Sequence, residues 1–345
     1  MSSYKTLRTM VNSGELSIIS IIAPPRTSST ALERALIESP DISGQCNEPW
    51  SQPHVTTIEQ RRQIAYDKIF SRVSQIRSAS AKFDRRHDIL VVKNIADFIP
   101  PGEFFIEWSS LARHQIFLVR DPACAIESEL NIFFRDIRTD GKLFDGVTPN
   151  QYARTTGFKN WLALHRWAKD NRNYCLYEAP VNTYFANADL THRDPKLIRL
   201  VSALRPNLDA NEMFRFRILG WEALQEHLRE CRTQASNYAV VESALFRSNP
   251  VAFLTGLCRI LSITYTPRMI DWSIEKTKSF ERGWDEHPDH FFYDQVLGST
   301  GILPPQDSAP AIDRFPPCIQ NFISRKDGAN DIYREAIEDS NFLGP

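Results

Sequence analysis

Arg26, Thr27, Ser28, Ser29 and Thr30 put one permanent cation and four hydroxyl-bearing residues into five consecutive positions, directly after Pro24 and Pro25. Such a cluster suits a phosphate-like anion. The guanidinium offers a planar fork of donors, and a helix starting at the hydroxyls adds its unpaired N–H groups and its dipole. Glu48 lies 22 residues beyond Arg26, in Asn47-Glu48-Pro49-Trp50. A carboxylate beside an acceptor hydroxyl can take its proton as general base. Lys93 follows the apolar run 88–92, and Arg120 follows the apolar run 115–119 with Ser128 eight residues further on. The chemistry these types describe is anion binding next to a proton acceptor.

Local patterns supply the elements that must hold these groups. Residues 16–22 read as a short apolar strand of the kind buried in a parallel sheet. Ser29 or Thr30 can cap a helix running to about Ser39, where Ser39-Pro40 stops it. Leu32, Ala35, Leu36 and Ser39 then share one face. Residues 88–92 form a second strand, ending in Lys93-Asn94. Residues 115–119 form a third, and Asp121-Pro122 opens a helix with Ala125, Ile126 and Leu130 on its apolar face. Residues 238–241 form a further strand. Pro250 sits in the first turn of a helix with a stripe of Phe253, Leu254, Leu257, Ile260 and Leu261. In the middle of the chain, residues 151–169 show the spacing of a buried helix, through Tyr152, Phe158, Trp161, Leu162, Leu164 and Trp167. Residues 195–204 and 211–231 are further helical segments.

Composition bounds the reading. With 345 residues and 42% hydrophobic content the chain can bury a sizeable core, and it is expected to form one domain over residues 10–305. A Pro-rich extension, 306–345, carries a short charged helix at 329–339 and could wrap the domain or a second copy in a homodimer. A net charge of −1 argues against nucleic acid as the main partner. Cys46, Cys124, Cys175, Cys231, Cys258 and Cys318 are scattered without C-x-x-C spacing, which fits free thiols in a reducing compartment and suggests no zinc site. No apolar run reaches spanning length and no secretory h-region opens the chain, so the expectation is a cytoplasmic protein off the membrane. The loop has no glycine and arginine in place of the phosphate lysine, so G-x-x-x-x-G-K-[ST] is absent and ATP chemistry with Mg²⁺ is disfavoured. G-x-G-x-x-G is absent from the segment too, which counts against a dinucleotide fold.

The loop Pro25-Arg26-Thr27-Ser28-Ser29-Thr30 resembles that of sulfotransferases using 3′-phosphoadenosine 5′-phosphosulfate (PAPS), with Ser28 where the family usually has glycine. It looks closer still to a bacterial sulfotransferase-like group with Pro-Arg-x-x-Ser-Thr loops. Val119-Arg120-Asp121-Pro122 with Ser128 is similar to the family's second anchor, and residues 238–266 resemble its C-terminal strand–helix signature. Ser299-Thr300-Gly301 and Phe291-Phe292-Tyr293-Asp294 match the bacterial group loosely, with Phe291 in place of a histidine.

The resemblance implies an α/β three-layer sandwich on a central parallel sheet, of the P-loop nucleotide-hydrolase-like sulfotransferase type. Helices inserted over 131–236 would cover the acceptor pocket. The implied reaction moves a sulfuryl group from PAPS to a hydroxyl or amine of a small-molecule acceptor, releasing the bisphosphate PAP, with no metal. In the roles so implied, Arg26, Glu48 and Lys93 are catalytic. Arg26, Thr27, Ser28, Ser29 and Thr30 hold the 5′-phosphate, and Arg120, Ser128 and Arg282 hold the 3′-phosphate. An ATP-dependent small-molecule phosphotransferase and a non-catalytic nucleotide-binding protein are the alternatives. Within sulfotransfer, the sulfate could also serve as a leaving group that activates the acceptor for cyclisation or elimination.

Overall fold

The computed structural model describes residues 2–51, 57–80, 87–135, 147–185, 219–234, 236–273, 296, 298–305 and 308–344. In chain order its elements begin with α1 (Ser3–Asn12), β1 (Leu16–Ala23), α2 (Ser29–Leu36), β2 (Gly44–Asn47) and α3 (Ile58–Ser80). Next come β3 (Asp88–Ile95), α4 (Glu103–Ser109), β4 (Ala112–Val119) and α5 (Pro122–Arg135). The chain continues through α6 (Pro149–Thr155), α7 (Trp161–Asp170), α8 (Glu178–Phe185), α9 (Leu219–Gln234) and β5 (Tyr238–Glu242). It ends with α10 (Ser243–Ser248), α11 (Pro250–Leu261), α12 (Pro317–Ser324) and α13 (Ala329–Ile337). The chain divides into two compact units, the first comprising Met1–Arg120, Gly220–Pro305 and Glu335–Pro345, and the second Asp121–Leu219 and Gln306–Arg334.

The first unit is built on a sheet of order β2-β3-β1-β4-β5, parallel at every pairing. β1 and β3 are buried on both faces, as the near-continuous apolar runs of central parallel strands require. On one face Ile19, Ile21, Ile89, Val91, Ile116 and Leu118 pack with Leu32, Ala35 and Leu36 of α2 and with Leu254, Leu257 and Leu261 of α11. On the other, Trp108 of α4 donates its indole N–H to Ser20 Oγ at 3.0 Å, and Phe105 stacks on His227 of α9 at 4.1 Å. The expected three-layer α/β architecture with a central parallel sheet is therefore what this unit adopts.

Several local expectations shift. The strand at 88–92 extends to Ile95, so Lys93 lies inside β3 rather than at its end. Helix α2 stops at Leu36, and its N-cap is Ser28. Ile260 is 41% exposed, so the stripe of α11 narrows to Leu254, Leu257, Cys258 and Leu261. The last residues of the chain cover the β5 edge: Leu343 N–H donates to the Val240 carbonyl at 2.9 Å, and Val240 N–H donates to Asn341 at 3.0 Å. Paired this way, the edge offers fewer free strand groups to other chains.

In the second unit the single helix expected over 151–169 is two helices, α6 and α7. Gly157 takes a positive φ of 89° between them, and Asn160 caps α7 by accepting from Ala163 N–H at 2.9 Å. Around the break Phe134, Trp161 and Tyr177 pack their rings, and Glu127 takes a two-point contact from Arg172 at 2.8 and 2.7 Å. The helix expected at 195–204, residues 211–218 and the motif at 291–294 lie outside the described residues. Among the described residues no helix is long and apolar enough to cross a membrane.

Candidate active site

In a parallel sheet every strand delivers its carboxyl end to the same edge. With the order β2-β3-β1-β4-β5, the chain leaves β1 and later returns to one side of it as β3 and to the other as β4. A ligand-binding crevice in an open α/β sheet forms at that reversal, outside the carboxyl ends. Four groups read from the sequence gather at this edge. The loop 24–28 follows β1, Glu48 follows β2, Lys93 lies two residues before the end of β3, and Arg120 follows β4.

The loop is held from several directions. The Thr27 hydroxyl is buried and donates to the Pro24 carbonyl at 2.9 Å, which closes the turn from within. The Arg120 guanidinium donates to the Arg26 carbonyl at 3.0 Å. Ser28 Oγ receives a hydrogen bond from Ser243 Oγ at 2.9 Å, just beyond β5. Gly220, in the first turn of α9, lies so close that a Cβ there would come within 3.0 Å of Pro25 Cδ. Arg26 at φ 63° and Ser28 at φ 68° both occupy the left-handed region, as does Glu48 at φ 46°. For residues with a Cβ that conformation costs roughly 1–2 kcal/mol each, and such strain concentrates at ligand clamps and active sites. Ser28 thus adopts the backbone shape for which glycine would be the ordinary choice.

Register explains how Glu48 and Lys93 meet. Asn47 is the partner of Lys93 across β2 and β3, and Glu48 N–H donates to the Lys93 carbonyl at 2.7 Å. Strand alternation puts Lys93 on the same face as Ile89 and Val91, the face covered by α2. There its ammonium lies 2.5 Å from Glu48 Oε1 and donates to Thr30 Oγ1 at 3.2 Å. Both side chains are buried, Lys93 at 1% and Glu48 at 4% exposure. Trp50 is fully buried, its backbone N–H donating to Asn94 Oδ1 at 3.4 Å and its ring edge-on to Tyr66.

A third titratable group in this cluster escapes a reading of the sequence. Glu33, one turn along α2 from Thr30, is fully buried, and neither carboxylate oxygen has a hydrogen-bond partner among the described residues. Burial pushes its carboxyl up to about 8; Lys93 opposes the shift and Glu48 adds to it. The spacing Thr30-x-x-Glu33 has the form of a capping box, which disguises Glu33 as a helix-start residue. The structure places the N-cap at Ser28 instead, with no side-chain cap.

The remaining candidates divide. Ser29 is buried and opens α2, and Thr30 is half-buried beside it. Ser128 lies on α5, in the second unit. Arg282 falls outside the described residues. Ser299-Thr300-Gly301 runs beside Asp271–Ser273: Trp272 N–H donates to the Thr300 carbonyl at 2.9 Å and its indole to Ser299 at 2.7 Å. A Cβ on Gly301 would meet the Ile270 carbonyl at 2.6 Å, so the close backbone approach there calls for glycine. No group of three or more His, Cys, Asp or Glu side chains among the described residues is arranged to hold a metal ion.

No protein-family model matches the chain, and no curated protein does. Among solved structures, the chain is similar to the sulfotransferase domain from the Synechococcus PCC 7002 olefin synthase, at 13% sequence identity and a TM-score of 0.39, over 94% of this chain and 95% of that one.

Proposed function

We propose that this chain is a sulfotransferase that moves a sulfuryl group from PAPS to a hydroxyl or amine of a small-molecule acceptor. The observation that carries the reading is the meeting of the Arg26 loop with the buried Lys93–Glu48 pair at the carboxyl edge of the sheet. A site for this reaction needs fixed cations for an anionic donor and a base for the acceptor, with positioning and charge stabilisation doing most of the work. Arg26 neutralises charge on the bridging oxygen and the 5′-phosphate as the S–O bond breaks. Ser29, Thr30 and the amides of the loop hold that phosphate, while Thr27 keeps the loop closed. Lys93 faces the sulfuryl oxygens, and Glu48 takes the proton that the acceptor oxygen or nitrogen loses as its new bond to sulfur forms.

The pair Lys93–Glu48 is self-neutralising. An anion at Thr30 competes with Glu48 for the Lys93 ammonium, and that exchange leaves Glu48 available as base. Arg120 is assigned to the 3′-phosphate, which separates PAPS from ATP. Ser128 and Arg282 join that assignment on sequence spacing alone. A cytoplasmic location belongs to the same proposal, on the scattered cysteines.

Thermal stabilisation by PAP, with AMP and ATP·Mg²⁺ alongside, tests this reading. A ligand that binds only the folded state raises the midpoint, and more so the tighter it binds. A shift with PAP well above that with AMP is the expected result, followed by transfer to acceptors when PAPS is supplied. A shift with ATP·Mg²⁺ and none with PAP would overturn the proposal in favour of phosphotransfer. Binding of PAP without transfer to any acceptor would point to a non-catalytic protein.

A further inference from the structure

Among the described residues, the cluster at the carboxyl edge sets two buried carboxyl groups around one buried ammonium, and the more exposed Lys68 ammonium of α3 acts on Glu48 as well. Lys93, from β3, reaches Glu48 at 2.5 Å and Thr30 at 3.2 Å. Glu33, one turn from Thr30, is 0% exposed and neither of its oxygens is hydrogen-bonded among the described residues. A second buried anion would have to share Lys93 with Glu48, with no donor of its own to replace water. Burying an uncompensated charge is far costlier than burying a neutral acid. Two carboxyls in one pocket, in environments this different, divide the protonated and ionised roles between them.

We infer that Glu33 holds the proton of this carboxyl pair and so leaves Glu48 as the anion that faces Lys93. Glu33 is then a positioning residue: it touches no substrate, and it acts by keeping the Lys93 charge undivided. The assignment of Glu48 as base rests on the sulfotransfer reading, but the location of the proton does not. The charges acting on Glu33 come from Lys93 on β3 and from Glu48 after β2, while its neighbour Arg34 on α2 is paired with Glu38. The direction agrees, since burial raises the Glu33 carboxyl from an ordinary 4.5 to about 8.

The sign of the pH effect follows. Between 4.5 and about 8 the folded chain keeps a proton that the unfolded chain releases. Stability from a neutral Glu33 is therefore full below 4.5 and lost as pH rises through about 8. Glu33→Gln is neutral at every pH. The expected result is that its melting temperature gains on that of the parent as pH is raised from about 5 to about 9. A constant difference across the series would overturn the inference, since a purely structural role shifts both curves together. If the variant does not fold, ¹³C NMR of the parent labelled at glutamate carboxyls decides. One carboxyl still protonated near neutral pH supports the inference, and complete ionisation by about pH 6 overturns it. Neither readout involves PAP or sulfate transfer, so the failure of one proposal leaves the other standing.

Discussion

Glu48 and Lys93 are tied twice. The backbone N–H of Glu48 donates to the Lys93 carbonyl at 2.7 Å, and the two side chains meet again at 2.5 Å. The first tie continues the parallel ladder one residue past β2, where Glu48 takes the left-handed region at φ 46°. The second would be weak at the surface, but here both groups are almost wholly screened from water. The backbone thereby fixes which carboxylate Lys93 meets.

Breaking this pair from one side should be costly. Lys93→Met removes the buried cation that the Glu48 carboxylate touches, with an expected loss of about 3–5 kcal/mol in denaturant unfolding. The double variant Lys93→Met, Glu48→Gln removes both charges and should recover most of that loss. If the double variant is as unstable as the sum of the two single ones, the side chains are not coupled and the ion pair is not what holds this corner.

Ser28 gives a second stability test, because its backbone and its side chain pull in opposite directions. Ser28→Ala keeps the Cβ at φ 68° and loses the hydrogen bond from Ser243. Ser28→Gly loses the same bond but relieves the left-handed strain, at the expense of a more flexible unfolded chain. The glycine variant should therefore be more stable than the alanine variant by about 1 kcal/mol in thermal unfolding. The reverse order would mean that the loop relaxes out of this conformation.

Much of the site is legible in the sequence because its parts are local. Arg26 and its hydroxyls span the turn after β1 and the first turn of α2, and Arg120 closes an apolar run that is indeed the end of β4. What joins those parts is not local. The meeting of Glu48 with Lys93 depends on the register of β2 against β3, 46 positions apart at Asn47 and Lys93, and no short-range pattern encodes it. Glu33 is obscured because α2 is buried nearly all round, Glu33 and Arg34 included, so a stripe of Leu32, Ala35 and Leu36 understates its contact face. The break between α6 and α7 failed to show for the opposite reason. Aromatic spacing runs on past Gly157 and Asn160, while Gly157 stops one helix and Asn160 caps the next.

Thiol chemistry offers a check on the packing of the first unit. Burial pushes the Cys231 and Cys258 thiols up to about 12. Only the thiolate reacts, so in the folded protein both should resist alkylation at about pH 8, while Cys175, which is exposed, is modified first. Mass-spectrometric mapping of the labelled sites reads this directly. Early labelling of Cys231 would show that α9 opens from the sheet in solution.

Arg120 separates two roles that the fold leaves superimposed on one side chain. It donates to the Arg26 carbonyl at 3.0 Å and so supports the loop, and it is also the residue proposed to hold the 3′-phosphate. PAP and AMP differ by that phosphate, so the ratio of their affinities isolates the second role. If Arg120 grips the 3′-phosphate, Arg120→Ala should weaken PAP by roughly tenfold to a hundredfold more than AMP, the range of a lost hydrogen bond to a charged group. If Arg120 only steadies the loop, both ligands weaken together and the ratio stays where it was. Arg120→Lys sharpens the comparison. An ammonium keeps the charge but gives up the two-point fork, so part of the preference for PAP should return without the full affinity.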